Sequence, residues 1–493
     1  MKILFVASEC VPFAKAGGLG DVVGALPKAL AARGHDVRVV LPKYGFIDAR
    51  SFAAHDAPLG VPFGTGEAWC GVRETRLPGS DVPVYLIEHD ALFGGMSLYD
   101  DASGIRELAR FSLLSRGALQ LCRALAFVPD VVHVHDWPTS WLPVLLDGPE
   151  RRSPFADTAT VLTLHNVAHQ PRFPAEGSSL LHLDPSKVMT PAGLEDHGWL
   201  NPLKGGVMYA TMLVAVSPSY AREIRTPEGG AGLHQLFDHR GADLVGIVNG
   251  IDEDLWDPQT DPHLPAVFGP DAMEGKARCK AELQREVGLD VDPDVPLFGM
   301  VARMTHQKGG DLLAAALPRI LARDAQVVIL GSGDRALELT LTYAAREYPG
   351  RLAVRIGYSE SLAHRIEAGS DFFLMPSRFE PCGLNQLYSQ RYGTVPIVRS
   401  VGGLIDTVTD VRDGAADATG FFFDDATPEA LLDAVERAKA TYRQTPELIA
   451  RMRRTGMLRR SGWDAPAVAY EDTYRWAREK HQSWRRVAAL GPA

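Results

Sequence analysis

The chain alternates short apolar runs with segments in which apolar residues recur every three or four positions. Residues 2–7 form an apolar run, a glycine-containing loop follows, and apolar residues then recur at helical spacing from Leu19 to Leu30, up to Gly34. A second apolar run at 37–41 completes a strand–helix–strand unit. This order predicts the beginning of a doubly wound parallel α/β sheet.

Further apolar runs of strand length occur in both halves of the chain. In the first half they lie at 83–87, 130–134, 159–164 and 211–216. A Pro- and Asp-rich stretch at 249–271 interrupts the pattern, which restarts with strands at 296–301, 326–330, 352–356, 371–375 and 395–398. We therefore predict an N-terminal Rossmann-like domain at 1–250, a C-terminal Rossmann-like domain at 251–465, and a helical segment at 466–493 that packs back on the first. Ligands of such folds bind beyond the carboxyl ends of the strands, which predicts a site in a cleft between the domains.

The amino-acid composition narrows the classes of molecule that the chain is expected to bind. The 493 residues are 46% hydrophobic and 23% charged, with a net charge of −10, which is typical of a globular protein and does not favour nucleic acid or an anionic membrane as a partner. The five cysteines are scattered and form no CxxC pair, which favours reduced thiols in the cytoplasm over disulfides or a zinc site. The apolar start is too short for a signal peptide, and no apolar run has the ~20 residues of a membrane span. An anionic ligand would need a local cluster of basic groups.

The first motif is Lys15-Ala16-Gly17-Gly18-Leu19-Gly20-Asp21, directly after a predicted strand and at the start of a helix. Glycines allow the backbone to approach a ligand closely, and a helix N-terminus favours an anion. Lys15 adds a mobile positive charge. The spacing matches neither GxGxxG nor a Walker loop, so a tight turn with a solvated lysine remains an equal alternative.

The second motif, Val301 to Gly309, follows the strand that opens the second half. Arg303 and Lys308 lie in one loop and could converge on a pyrophosphate, the guanidinium with bidentate geometry and the ammonium as a compact charge. Two surface cations are the alternative.

The third motif, Met375 to Leu384, places Glu380 and then Gly383 after a strand. The carboxylate could accept hydrogen bonds from sugar hydroxyls or balance positive charge at an anomeric carbon, and the backbone N–H groups suit a phosphate. An exposed loop acid is the alternative for Glu380, and Cys382 fits a small packed thiol better than a nucleophile.

The fourth motif is a strand ending in His165-Asn166, where a structural histidine is the simpler interpretation. Acidic strings at 252–254 and 290–294 are interpreted as solvated loops rather than metal ligands. Without a metal, leaving-group charge must be met by Lys15, Arg303, Lys308 and backbone dipoles.

Taken together, these motifs resemble the family of bacterial glycogen synthases and plant starch synthases. The resemblance runs almost end to end, and PSRFEPCGL together with KxGGLxD is highly specific. The matching strings are Ser8-Glu9, Lys15 to Asp21, His133 to Trp137, His165-Asn166, Leu203 to Gly206, Asn249 to Asp252, Gln307 to Gly309, Pro376 to Leu384 and Gly402 to Leu404.

The resemblance implies the GT-B fold, two Rossmann-like doubly wound domains facing across a deep interdomain cleft. It implies retaining transfer of glucose from ADP-glucose to the non-reducing end of an α-1,4-glucan, glycogen or a maltooligosaccharide, with release of ADP. It implies no cofactor and no essential metal ion.

The resemblance also assigns residues to the donor. Arg303 and Lys308 would hold the pyrophosphate, Lys15 and its glycine loop would contact phosphate and glucose, and Tyr358 would stack on adenine. The implied donor-binding residues are Lys15, Gly17, Gly18, Asp21, Arg303, Lys308, Tyr358, Cys382, Gly383 and Leu384.

Two residues are implied to be catalytic. Glu380 would bind the glucose and support the transition state, and His165 would lie against the sugar with its backbone carbonyl facing the reacting carbon. Tyr99, Asp136 and Asn166 are placed near the junction of donor and acceptor.

This chain departs from the family pattern at several positions. Asn385 stands where Thr is expected after EPCGL, which would alter one phosphate hydrogen bond, and Ala16 is a minor change. Pro138 and the string His169-Gln170-Pro171 lie towards the acceptor side. They are therefore expected to affect the preferred chain length of the acceptor rather than the catalytic reaction.

Three other functions remain open. A related retaining GT-B enzyme, forming maltosyl phosphate or of the sucrose synthase type, would differ in acceptor or nucleotide. A nicotinamide-dependent dehydrogenase would need a GxGxxG followed by an acidic ribose ligand, which this sequence lacks. A non-catalytic glucan-binding protein is disfavoured by the presence of Lys15, Arg303, Lys308 and Glu380.

Overall fold

In the computed structural model, which describes residues 1–99, 104–322, 324–412 and 416–489, the chain divides into two units. Unit 1 comprises Met1–Gly250 and Trp463–Ala493, and unit 2 comprises Ile251–Gly462.

Unit 1 is built on a sheet that has ten strands in the described part of the chain. Its central strands are parallel, and Ile3 of the first strand lies opposite Val37 on one side and Val131 on the other. The strands of the unit are β1 (Lys2–Val6), β2 (Asp36–Pro42), β3 (Ala53–Ala54), β4 (Leu59–Phe63), β5 (Gly66–Arg76), β6 (Pro83–Glu88), β7 (Val131–His135), β8 (Ala159–Leu164), β9 (Glu195–Asp196), β10 (Trp199–Leu200), β11 (Met212–Ala215) and β12 (Leu244–Gly246).

The strand order of this sheet is β12-β11-β8-β7-β1-β2-β6-β5-β3, with β4 paired to β5 and β9–β10 forming a separate hairpin. From β12 to β6 the strands are parallel, whereas β5 pairs antiparallel with its neighbours. The helices between the strands are α1 (Gly18–Ala32), α2 (Asp90–Phe93), α3 (Ile105–Ala124), α4 (Asp136–Thr139), α5 (Trp141–Asp147), α6 (Pro185–Val188), α7 (Pro202–Tyr209), α8 (Pro218–Glu223) and α9 (His234–Arg240), with 3₁₀ turns at Ala175–Leu181 and Gly241–Asp243.

Unit 2 contains a sheet with six described strands, all parallel, in the order β15-β14-β13-β16-β17-β18. Its strands are β13 (Leu297–Val301), β14 (Gln326–Gly331), β15 (Leu352–Ile356), β16 (Phe372–Met375), β17 (Val395–Arg399) and β18 (Phe421–Phe423). Its helices are α10 (Glu274–Val287), α11 (Gly310–Ile320), α12 (Arg335–Glu347), α13 (Glu360–Gly369), α14 (Asn385–Arg391), α15 (Gly403–Thr407), α16 (Pro428–Gln444) and α17 (Pro446–Leu458), with a 3₁₀ turn at His306–Lys308.

Local chemistry fixes several helix starts in unit 2. The side chains of Asp334, Ser359 and Thr427 each accept a backbone N–H of the first turn of α12, α13 and α16, which satisfies a donor that the helix leaves unpaired. Apolar residues fill both faces of the sheet. The buried parallel strands therefore appear in the sequence as continuous apolar runs rather than as alternating patterns.

The last helix, α18 (Asp464–Ala489), packs on the sheet of unit 1. Ala467, Tyr470, Tyr474 and Ala477 are fully buried in the same apolar cluster as β1. The Tyr474 hydroxyl also lies 2.8 Å from Nδ1 of His133 in β7.

When the parallel strands are numbered along the chain, their order is 3-2-1-4-5-6 in unit 2 and 3-2-1-4-5-6-7 in unit 1, where β12 adds a seventh strand. This is the order of a doubly wound Rossmann-type sheet. The predicted class of two doubly wound α/β domains is confirmed.

Candidate functional site

In each unit most of the predicted residues follow the two strands at which the winding of the sheet reverses, or the strand next to them. In unit 1 these are β1 and β7, which precede the Lys15 loop and Asp136, with His165 after the adjacent β8. In unit 2 they are β13 and β16, which precede the Arg303–Lys308 loop and Glu380. The crevice outside the carboxyl ends of such strands is the usual ligand site of a doubly wound sheet.

The loop before α1 carries an ion pair. Nζ of Lys15 donates to Oδ1 of Asp21 at 2.7 Å, and the lysine side chain is largely exposed. Gly17 precedes the helix with extended backbone, and an added Cβ there would meet no atom within 4 Å. The described fold therefore does not require glycine at this position, and room for a ligand is a sufficient reason for it.

A buried carboxylate lies behind this loop. Oε2 of Glu9 accepts the backbone N–H groups of Ala16 and Gly17 at 2.6 and 2.9 Å. Its Oε1 accepts the Tyr99 hydroxyl at 2.7 Å, and that hydroxyl also lies 2.8 Å from Oγ of Ser8. The structure thus joins two predicted positions, the glycine loop and Tyr99, through a residue that had no predicted role.

Asp136 organises the second loop of unit 1. Its Oδ1 accepts the N–H of His165 at 2.7 Å and that of Asn166 at 3.4 Å. Burial raises the pKa of the Asp136 carboxyl to about 7. The residue itself has a positive φ of 51°, an uncommon conformation for a non-glycine residue that is found at functional positions.

The ring of His165 contacts the ring of a second histidine, His135. Its Nε2 lies 3.1 Å from Nδ1 of His135, and both rings are in a tilted contact. Burial lowers the pKa of His165 to about 3, so the imidazole is neutral at pH 7. A neutral ring carries no proton to donate as an imidazolium, which agrees with the predicted role of the His165 backbone carbonyl.

In unit 2 the two predicted cations differ in their surroundings. Nζ of Lys308 donates to Oε2 of Glu380 at 2.6 Å. Arg303 is exposed, and within the described residues its guanidinium makes no hydrogen bond or ion pair. One cation is therefore fixed against an acid, while the other is available for an anion.

Glu380 is almost completely buried and engaged on one oxygen. Besides Lys308, the Ser377 hydroxyl donates to its Oε2 at 2.9 Å. The two loops are joined further, since the Arg378 N–H donates to the Gln307 carbonyl at 2.8 Å. Gly309 has a φ of 65°, and a Cβ there would lie 1.9 Å from the Pro376 carbonyl oxygen, so only glycine allows this approach.

The segment after Glu380 leads into α14. Cys382 is buried and Gly383 has a φ of 72°, while Leu384 precedes the first helical residue. Nδ2 of Asn385, the unusual residue, donates to the Val301 carbonyl at 2.6 Å. This side chain ties the start of α14 to the end of β13.

Tyr358 lies apart from this pair of loops. It follows β15, the edge strand of the sheet, and its side chain is about two-thirds exposed. Among the residues that contact predicted positions, Glu9, His135 and Ser377 had no predicted role. A polar residue between a buried strand and a motif loop was the available signal for Glu9.

Metal-binding clusters and membrane-spanning helices are both absent from the described residues. No group of three or more His, Cys, Asp or Glu side chains in this part of the chain is arranged to hold a metal ion, and metal independence stays a prediction. No helix within the described ranges has the length and apolar character to cross a membrane.

Comparisons with known proteins cover both units. A family model described as starch synthase catalytic domain matches residues 2–239, and a model described as glycosyl transferases group 1 matches residues 284–456. The chain is 51% identical over 479 residues to a glycogen synthase of Anaeromyxobacter dehalogenans, covering 96% of this chain and 99% of the relative. It is 47% identical over 480 residues to glycogen synthase 1 of Geobacter sulfurreducens, covering 96% of each chain.

Among solved structures, the chain matches the catalytic domain of starch synthase IV from Arabidopsis thaliana, which was solved bound to ADP and acarbose. The TM-score is 0.92 at 33% identity, over 97% of this chain and 99% of the other. These comparisons confirm the predicted resemblance and the predicted GT-B class.

Proposed function

The chain belongs to the bacterial glycogen synthase family and is a glycosyltransferase, and we propose that it elongates an α-1,4-glucan with glucose from ADP-glucose. The transfer is to the non-reducing end of glycogen or a maltooligosaccharide, with retention of configuration and release of ADP. The observation that carries the proposal is the 2.6 Å contact of Lys308 with Glu380 beside the exposed Arg303, at the reversal point of a Rossmann-type sheet. The ADP bound by the starch synthase IV domain supports an adenine nucleotide.

The residues of unit 2 are proposed to bind the donor. Arg303 and Lys308 meet the pyrophosphate, whose negative charge grows as the bond to glucose breaks. Glu380 orients the glucose and balances positive charge at its anomeric carbon. Tyr358 stacks on adenine, and backbone N–H groups of the sequence Cys382-Gly383-Leu384 meet phosphate or sugar oxygens.

The residues of unit 1 are proposed to contact the donor's phosphate and glucose and the acceptor. Lys15 serves as a mobile cation, and the loop at Gly17-Gly18 allows close backbone approach. In this arrangement Asp21 keeps Lys15 in place until a donor phosphate competes for its ammonium group. The open space beside Gly17 supports this role.

The second loop of unit 1 is proposed to support the reacting carbon. The backbone carbonyl of His165 faces it, and Asp136 fixes that carbonyl by holding the adjacent N–H groups. Tyr99 and Asn166 lie at the junction of donor and acceptor. The neutral state of the imidazole favours this role over acid catalysis by His165.

We also propose that the reaction needs no metal ion and takes place in the cytoplasm. The first proposal is supported by the cations Lys15, Arg303 and Lys308, which can meet leaving-group charge. The second is supported by the five cysteines, which are all buried free thiols.

A donor-by-acceptor assay tests the function. Purified protein is given ADP-glucose or UDP-glucose labelled in the glucose, with glycogen, maltooligosaccharide or glucose 1-phosphate as acceptor. We expect the highest kcat/KM with ADP-glucose and glucan, label released by β-amylase, and activity retained in excess EDTA. Equal or greater kcat/KM with UDP-glucose would contradict the donor, and preferred transfer to glucose 1-phosphate would contradict the acceptor.

A further inference from the structure

A carboxylate is buried directly behind the glycine loop of unit 1. Glu9 is 4% exposed, yet its two oxygens accept three hydrogen bonds, from the N–H groups of Ala16 and Gly17 and from the Tyr99 hydroxyl. The partners come from two different segments, since Tyr99 is 90 residues further along the chain. One side chain therefore fixes two loops relative to each other.

Burying this acid is unfavourable in itself. Desolvation raises the pKa of Glu9, and the nearby Asp21 charge raises it further, while the three hydrogen bonds oppose the shift. An apolar side chain of similar size would fill the space without this cost. The apolar cluster of the unit reaches this part of the chain, since the next residue Cys10 and the nearby Ala14 and Leu19 belong to it.

We propose that Glu9 is a positioning residue for the glucosyl transfer, one that holds the Lys15–Gly18 loop and Tyr99 in the geometry that binds the reacting glucose. This inference rests on the proposed function of those two segments. Glu9 is buried beneath them and acts through its hydrogen bonds rather than by contact with the substrate.

The consequences of removing Glu9 follow from its partners. Without the carboxylate, two backbone N–H groups and one phenol lose their acceptor in a partly buried place, where an unsatisfied polar group is unfavourable. The loops can avoid this cost by moving towards water. Displacement by about 1 Å is enough to lower an enzymatic rate by about 100-fold.

The conservative variant separates geometry from charge. In Glu9→Gln the amide oxygen can accept both N–H groups while the amide NH₂ faces the Tyr99 oxygen, which can turn its own proton to Oγ of Ser8, 2.8 Å away. We therefore expect Glu9→Gln to keep kcat within about fivefold of wild type, and Glu9→Ala to lose about 100-fold, mainly in kcat. Tyr99→Phe breaks one of the three bonds and should fall between them.

Glu471 provides the matched control in the same unit. It is also buried, and its carboxylate pairs with Arg33 at 2.7 Å and lies 2.6 Å from Nε2 of His35. These partners precede β2, so they lie at the opposite end of the parallel strands from the site. Glu471→Ala should lower the melting temperature and leave kcat unchanged. Glu9→Ala should instead lower kcat in protein that is folded at the assay temperature.

The experiment measures kcat and KM for ADP-glucose, with saturating glycogen, and the melting temperature of each full-length variant. Absence of wild-type transfer from ADP-glucose would contradict the proposed function itself. With an active wild type, a Glu9→Ala enzyme that melts lower but keeps normal kcat, as expected for Glu471→Ala, would overturn only the role of Glu9. If Glu9→Ala does not fold, the other two variants decide. A folded Glu9→Gln enzyme with kcat within about fivefold of wild type, together with a folded Tyr99→Phe enzyme of lower kcat, supports the role of Glu9. Equal, normal kcat in both variants overturns it.

Discussion

The contact between Lys308 and Glu380 makes a quantitative prediction about their combined effect on catalysis. Both residues are proposed to act on the donor, and both are also joined to each other at 2.6 Å. Changing Lys308 to Ala removes the cation proposed for the pyrophosphate and leaves Glu380 without its charged partner. Changing Glu380 to Ala removes the acid proposed to bind the sugar and leaves Lys308 without that partner. Neither single change is therefore independent of the other.

The magnitude follows from burial. The Glu380 side chain is 6% exposed and that of Lys308 is 21% exposed, so water screens their interaction only in part. Each single variant should lose about 2–4 kcal/mol of transition-state stabilisation, as for a donor removed from an oxyanion site. A hydrogen bond between charged groups contributes about 1.5–3 kcal/mol, so the double variant should lose less than the sum by about that amount.

The assay is a double-mutant cycle on kcat/KM for ADP-glucose at saturating glycogen. The matched control is the cycle on Arg365 and Glu286, a bidentate pair at 2.7 Å that is about a quarter and two-fifths exposed and lies on α13 and α10. The control pair should show no coupling in kcat/KM. Additivity of Lys308 and Glu380 within about 0.5 kcal/mol, the range for independent sites, would refute a shared site for the two residues.

Two further predictions concern single positions. Burial raises the pKa of the Asp136 carboxyl from 3.8 to about 7. Between these pH values the folded state binds a proton that the unfolded state does not, so the wild type loses stability as the pH rises. Urea unfolding should therefore show Asp136→Asn gaining stability relative to wild type across this window, and a difference in stability that is independent of pH would contradict the pKa shift. In Gly309→Ala the new Cβ would lie 1.9 Å from the Pro376 oxygen and displace the segment that carries Glu380, so both kcat and melting temperature should fall. Gly288→Ala is its control, because it has a φ of 78° and no atom within 4 Å of the new Cβ; it should lose about 1–2 kcal/mol of stability and no kcat, and equal kcat in both variants would disprove the effect on the loop.

Most of the parallel strands were predicted from the sequence, whereas the short parallel strands β12 and β18 and the antiparallel edge of unit 1 were not. Strands buried on both faces, such as β1 and β13, are continuous apolar runs, which the sequence displays directly. β4 contains Gly60 and Pro62, residues that count against a strand. Its partner β5 is only partly buried and lacks a regular alternation, so pairing with β6 and β4 rather than the local pattern determines it.

The candidate site, like the fold, could be predicted from the sequence only in part. Lys308 and Glu380 are 72 residues apart in the chain, yet the strand order brings their loops together. The strands before them, β13 and β16, are neighbours at the point where the winding of the sheet reverses. Motifs that follow such strands can therefore be assigned to one site from their positions in the sequence alone. The choice of Oε2 of Glu380 as a shared acceptor for Lys308 and Ser377 could not be deduced, because it depends on the turn between Ser377 and Glu380.

Glu9 joins two segments that strand order does not bring together. Its partner Tyr99 follows the short helix α2, beyond β6, and β2 separates β6 from β1 in the sheet. Strand order alone therefore gives no reason for Tyr99 to meet the loop after β1. What joins them is the buried carboxylate of Glu9, which accepts hydrogen bonds from Ala16, Gly17 and Tyr99. A buried acid between two loops of this kind is a reason to expect that their relative position matters for function, since an apolar side chain would serve the core alone.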